Sequence, residues 1–134
     1  MSYAISTTVK QPYDAVVTQV RAALADQGFG VLTEIDLKAT MKSKLDADVA
    51  PQVILGACRP PLALAALQAE PSIGLLLPCN VVVRAVDETT TVVEAVDPQM
   101  MVSMTDNADL QVVADDASQR LRAALDSLTT NPAH

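Results

Sequence analysis

The pattern of apolar and polar residues divides the chain into alternating strand-like and helix-like segments. Residues 3–9 place larger apolar or β-branched residues at every second position, and this alternation is typical of a half-buried strand. Residues 13–24 repeat their apolar positions every three or four residues, which predicts an amphipathic helix. Pro12 suits the first position of this helix and Gly28 supplies its stop, as helix boundaries favour.

The next segment predicts a strand that leads directly into a short helix. Residues 29–35 form the strand, and Asp36 is placed to cap a helix over residues 37–45. The apolar residues of that helix form only a narrow stripe among lysines. We therefore expect an exposed helix.

Residues 52–85 are rich in apolar residues and contain both cysteines of the chain. A short strand, a helix, a loop and a second strand follow one another in this stretch. The helix starts at Pro61 and must end before Pro71, because proline suits only the first turn of a helix. Cys58 and Cys79 therefore lie at junctions between elements, where functional residues are often found.

Two strands over residues 81–86 and 92–96 flank a polar segment and predict a hairpin. We expect Val86 to pair with Val92. That register places Arg84 opposite Glu94, and opposite charges on facing strands are favourable.

The last predicted helix runs from residue 106 to residue 128, with acidic residues in its first half and arginines in its second, as the helix dipole favours. The elements together predict an α+β fold. We expect a single two-layer domain over residues 3–128 in the order β-α-β-α-β-α-β-β-α, with a mixed sheet packed by helices. Residues 129–134 are expected to form a frayed tail.

The segment ILGACRPPLALAALQAEPSIGLLLPCNVVV, with EIDLKATMKSKL before it and VDPQMM after it, resembles the DUF302 family of small bacterial and archaeal domains. The match extends from Tyr3 to about Leu128. This resemblance implies a two-layer α+β domain that tends to form dimers, and it brings no established catalytic residue.

Composition and charge exclude several classes of function. Half of the 134 residues are hydrophobic, but only Tyr3, Tyr13 and Phe29 are aromatic, and the net charge is −7 with nine basic residues. Nucleic-acid binding requires clustered Lys and Arg, so we expect neither nucleic acid nor an anionic membrane as a partner. No leader or membrane-spanning run stands out, which favours a soluble, cytoplasmic protein with reduced thiols. We expect no cofactor.

Cys58 is the leading candidate for a reactive residue. A helix N-terminus follows it and Arg59 is adjacent, and both features lower the pKa of a thiol. If exposed, Cys58 could be a nucleophile or a redox sensor. The alternative is that it is a small buried hydrophobic residue, and the same interpretation applies with more force to Cys79.

The chain lacks the residues for a four-ligand zinc site, because the two cysteines stand alone and the only histidine is His134. A soft site made by Cys58, Cys79 and a methionine, such as Met101, would suit Cu(I). Methionines in an aliphatic core are also common gap-fillers. If the intervening helix joined parallel strands, the thiols would lie ~17–20 Å apart, whereas antiparallel strands would bring them to one end.

Glu34 completes the candidate site residues. With Asp36, Lys38 and Lys42 it could form an acid–base site, although a solvated strand-to-helix junction is the favoured explanation of these charges. Two functions follow. We favour a homodimeric module that binds a small molecule or a protein without catalysis; the alternative is a thiol-dependent protein that uses Cys58, with Cys79 and Arg59 beside it.

Overall fold

The computed structural model describes residues 3–130, which form five strands and five α-helices in one unit. The strands are β1 (Ala4–Val9), β2 (Gly30–Asp36), β3 (Gln52–Cys58), β4 (Cys79–Asp87) and β5 (Thr90–Val96). The helices are α1 (Tyr13–Asp26), α2 (Leu37–Leu45), α3 (Pro60–Ala69), α4 (Gln99–Thr105) and α5 (Gln111–Thr130), with two short 3₁₀ helices, Pro71–Leu76 and Ala108–Leu110.

The sheet has the strand order β1-β5-β4-β3-β2, and every neighbouring pair in it is antiparallel. The predicted α+β class is confirmed, but the predicted mixed sheet is wrong. A parallel β3–β4 pair would need a connection that crosses back along the sheet. Instead, α3 and the following 3₁₀ helix pack into a separate cluster with α4 and α5, and the chain re-enters the sheet at the end where it left.

The main hydrophobic core lies between one face of the sheet and the helices α1 and α5. The buried valines and leucines of β3, β4 and β5 meet Val16, Val20 and Leu24 of α1 and Leu121 of α5. A second cluster contains Ala66, Ile73, Met101 and Leu110. Because the N-terminal half of α5 also contributes to the second cluster, this one helix joins the two cores.

Several predicted boundaries are confirmed. Pro12 stands one residue before α1 rather than at its first position, and Gly28 adopts a positive φ of 85° just after the helix, where glycine is preferred. Asp36 caps α2 by accepting a hydrogen bond from the Ala39 amide at 2.9 Å. The nine residues of α2 include none that is buried, as the narrow apolar stripe indicated.

The C-terminal region differs from its prediction. Residues 99–105 form α4 rather than a simple connection, and α5 begins at Gln111, because Asp106 ends α4 with a positive φ of 52°. The helix α5 continues to Thr130, so the first two residues of the predicted tail are helical. The rest of that tail, residues 131–134 with His134, lies outside the described residues.

The β4–β5 hairpin has a tighter turn than predicted. Arg84 pairs with Val92 and Val82 with Glu94, with a bulge between Ala85 and Asp87, so the predicted register is wrong by two residues. The Asp87 carboxylate accepts hydrogen bonds from the Thr89 amide and hydroxyl, and this local turn shortens the loop.

A shift of two residues keeps every side chain on its predicted face. Arg84 therefore still contacts Glu94, now across a diagonal, with 3.3 Å between Nε and Oε1.

Candidate functional site

A small cleft lies where β3 ends and β4 begins, and we call it the Cys58 cleft. Cys58, Arg59, Cys79 and Met101 line it together with aliphatic side chains from α3 and α5 and with Phe29. The cavity measures about 30 Å³, which is room for a water-sized group. No carboxylate or imidazole lines it in the described part of the chain.

Antiparallel pairing of β3 with β4 builds this cleft. Cys79 pairs with Ala57, the residue before Cys58, so the two thiols lie at the same end of the sheet rather than a strand length apart. Both cysteines are free, and both line the cleft.

The two thiols have different surroundings. Cys79 is buried, and this burial, helped by the nearby Cys58, raises its pKa to about 11 from the ordinary value of 9.0. Cys79 is therefore a neutral thiol at physiological pH, as the apolar residues around it in the sequence indicated. Cys58 is half-buried, so it is the more exposed of the two cysteines.

Arg59 is the one charged residue among those that line the cleft. It occupies the position before α3, where its carbonyl accepts hydrogen bonds from the amides of Leu62 and Ala63 at 3.0 Å each. Its side chain crosses the α1–β2 turn at Gly28, where an added Cβ would lie 2.9 Å from the Arg59 Nε. That Nε is buried and has no hydrogen-bond partner among the described residues.

A second arginine reaches the same turn. Arg120 of α5 donates a hydrogen bond from Nη1 to the carbonyl of Gln27 at 3.2 Å, and its Nε pairs with Asp116 at 2.6 Å. Asp116 thus balances the charge of Arg120, whereas the described ion pairs include none for Arg59.

Glu34 does not line the cleft. It lies on the edge strand β2 opposite Leu55, half-exposed, and forms an ion pair with Arg21 of α1. Asp36 caps α2, and Lys42 pairs with Asp46 at 2.9 Å. These contacts agree with a solvated strand–helix junction, where Asp36 and Lys38 line a surface cavity.

The three sulfur-containing residues that the sequence suggested as ligands of a soft metal ion lie around one cavity. Met101 of α4 is buried at the cleft with Cys58 and Cys79. Met100 and Met104 line a neighbouring cavity whose wall also includes Cys79 and Met101. Within the described residues no group of three or more His, Cys, Asp and Glu side chains could hold a metal ion.

Sequence reasoning missed the walls of the cleft. Phe29 follows α1, Leu62 and Ala66 come from α3, and Val113 and Ala117 come from α5. Each of them belongs to an apolar pattern that equally indicates ordinary core. Only the fold distinguishes these positions from the rest of the interior.

The fold and the cleft define a small α+β domain with one open antiparallel sheet and an apolar, arginine-bearing cleft at the end of that sheet. The chain belongs to the DUF302 family, since the model of "Domain of unknown function DUF302" matches residues 5–128. It is also similar to the crystal structure of the uncharacterized conserved protein DUF302 from Bacillus stearothermophilus. That similarity has a TM-score of 0.86 and 28% sequence identity, and it covers 94% of this chain and 98% of the other.

No curated protein matches this chain. Among the described residues, no helix is long and apolar enough to cross a membrane.

Proposed function

We propose that this domain binds a small molecule in the Cys58 cleft without transforming it, and that the ligand has a short aliphatic part and an anionic group such as a carboxylate. The observation that carries this proposal is the unpartnered Nε of Arg59, a residue that lines the apolar cavity. Ligand sites in proteins typically combine apolar walls with a few polar groups that fix orientation.

The cleft has a complementary group for each part of this ligand, the anionic group and the aliphatic chain. A guanidinium group recognises a carboxylate through paired hydrogen bonds, and charge-assisted bonds of this kind contribute about 1.5–3 kcal/mol. A buried donor without a partner is unfavourable, so an anion that accepts from Arg59 Nε would remove that penalty. The cavity of about 30 Å³ takes only the tip of an aliphatic chain, and half-buried Leu62 and Ala63 flank the remainder.

The residues at the cleft favour binding over catalysis. General acid–base catalysis needs a group such as a carboxylate or imidazole within hydrogen-bond reach of the substrate. The described residues that line the cleft include neither, and the neutral Cys79 thiol is a poor proton acceptor at physiological pH.

Titration of the full-length protein with hexanoate, followed by amide chemical shifts, tests the proposal. We expect saturable shifts at residues 57–66 with a Kd of about 1 mM, which corresponds to about 4 kcal/mol. Hexylamine, which carries the opposite charge, should cause none. Arg59→Gln should weaken hexanoate binding about tenfold or more, while Arg122→Gln, a more exposed arginine on α5, should leave it unchanged. Equal binding of hexanoate and hexylamine would contradict the proposal.

A thiol-dependent function is the second candidate. One observation favours it: the antiparallel sheet brings Cys58 and Cys79 to one cleft with a cation beside them. In this function the half-buried Cys58 reacts first, and the buried Cys79 lies behind it. Two free cysteines also suit a reducing compartment, and we infer a cytoplasmic location on that ground.

We also propose that the domain acts as a homodimer, with α2 and the edge strand β2 as the contact surface. A helix of nine residues with no buried side chain has little to stabilise it, since short isolated helices are marginal in water. Leu45 is 71% exposed on α2, and Leu32 is 66% exposed on β2. A second copy would cover both.

Charge supports a second copy as the occupant of this surface. Residues 36–48 contain three aspartates and three lysines, so this segment is neutral on a chain of net charge −7. Two copies can therefore bring these segments together without the repulsion that acidic surfaces would impose. In a two-fold dimer each lysine of one segment can face an aspartate of the other.

A further inference from the structure

We propose that the Cys58 cleft is a Cu(I) site in which the thiolates of Cys58 and Cys79 and the thioether of Met101 are the ligands. The inference rests on the second candidate function, the thiol-dependent one, and names its ligand. Its starting point is geometric: three sulfur-bearing side chains from β3, β4 and α4 line one cavity of about 30 Å³.

The donor set selects for a soft metal. Thiolate and thioether sulfurs bind Cu(I), whereas Mg²⁺ and Ca²⁺ require oxygen ligands. Structural zinc sites need four Cys, His or carboxylate ligands, and the described residues at the cleft offer only two of these. Three sulfurs in an apolar pocket thus suit Cu(I) better than zinc or a hard cation.

Arg59 balances the charge of such a site. Cu(I) with two thiolates and one thioether carries a net charge of −1, and an unpaired charge in an apolar pocket is strongly unfavourable. Arg59 lines the same cavity, and its guanidinium Nε has no hydrogen-bond partner among the described residues. With Arg59 included, the charges of the site sum to zero.

The binding of Cu(I) at this site needs no redox step. One Cu(I) ion displaces one proton from each thiol and forms two copper–thiolate bonds, so two protons pass to solvent and no oxidant or reductant is involved. Cys58 is the accessible ligand because it is half-buried, while Cys79 and Met101 are buried behind it. The ion would therefore bind first at Cys58 and then move inward.

Anaerobic titration of the reduced full-length protein against a chromophoric Cu(I) chelator tests the inference. We expect one Cu(I) per chain. Cys58→Ser or Cys79→Ser should abolish competition with the chelator, and Met101→Leu should weaken it at least tenfold. Met41→Leu makes the same replacement on α2, far along the chain from the cleft residues, and should have no effect. Circular dichroism of each variant establishes that it is folded.

A spectroscopic measurement on the wild-type protein keeps the test independent of the variants. X-ray absorption at the copper edge should show three sulfur neighbours, and nitrogen or oxygen neighbours instead would overturn the inference. Alkylation of Cys58 in the folded protein distinguishes the copper inference from the thiol-dependent function on which it rests. If Cys58 reacts in the folded protein but the chelator keeps all the copper, the copper inference fails and the thiol-dependent function stands; if Cys58 is also inert, both fail.

Discussion

Ala57 and Cys79 are paired across two antiparallel strands, although 21 residues separate them in the sequence. The intervening chain leaves the sheet after Cys58, forms α3 and a 3₁₀ helix, and returns to the same end. This return places both thiols and Arg59 around one cavity.

The two cysteines should differ in reactivity. A limiting amount of an alkylating reagent at neutral pH should label Cys58 before Cys79, because Cys79 is buried and remains protonated with a pKa of about 11. Peptide mass spectrometry after brief labelling measures the order. Labelling in denaturant should remove the preference, and faster labelling of Cys79 in the folded protein would contradict the structure at this cleft.

Cys79 should make the stability of the protein depend on alkaline pH. Its folded-state pKa of about 11 lies above its ordinary value of 9.0, so the folded state holds this proton more tightly than the unfolded state does. The contribution of Cys79 to the free energy of unfolding is complete below about pH 9 and is lost as the pH rises toward 11. Two pKa units correspond to about 2–3 kcal/mol as an upper limit.

Denaturant unfolding of wild type and Cys79→Ala, under reducing conditions between pH 7 and 11, measures this contribution. Other groups titrate in both proteins, so the difference between the two curves isolates Cys79. The free energy of unfolding of wild type should fall more steeply above pH 9 than that of the variant. Parallel curves would show that burial does not raise the pKa of Cys79 in the folded protein.

Gly28 should be intolerant of a side chain. It has a φ of 85°, and an added Cβ would lie 2.9 Å from the Nε of Arg59. We expect Gly28→Ala to lower the free energy of unfolding by about 1–2 kcal/mol because of backbone strain, and to weaken hexanoate binding by displacing Arg59. Gly74→Ala is the matched control, since nothing lies within 4 Å of its added Cβ, and it should have little effect.

The α2 surface should control assembly. Leu45→Glu places a charge in the proposed dimer contact, and we expect it to convert the dimer to a monomer because burying an unpaired carboxylate is strongly unfavourable. Light scattering at tens of micromolar measures the mass, since an interface with a Kd of ~1 μM is mostly formed there. Leu75→Glu changes another highly exposed leucine and should remain dimeric. A wild-type monomer at that concentration would refute the proposal.

Local interactions within the sequence determined most of the helix and strand boundaries. Pro12 and Gly28 bound α1 as expected, and Asp36 caps α2 through its own carboxylate. Such features depend on residues within one turn of each other, so they can be read from the order of amino acids. The solvent-exposed character of α2 followed from its narrow apolar stripe in the same way.

Only the tertiary structure decided the direction of β4, the hairpin register and the cleft. The sequence admits both parallel and antiparallel β3–β4 pairs, because apolar strands suit either. In the folded domain the pair is antiparallel, and α3 packs with α4 and α5. The register depended on the turn made by Asp87. The proximity of Cys58, Cys79 and Met101 arises from three elements that meet only after folding, since long-range packing leaves no local signal in the order of residues.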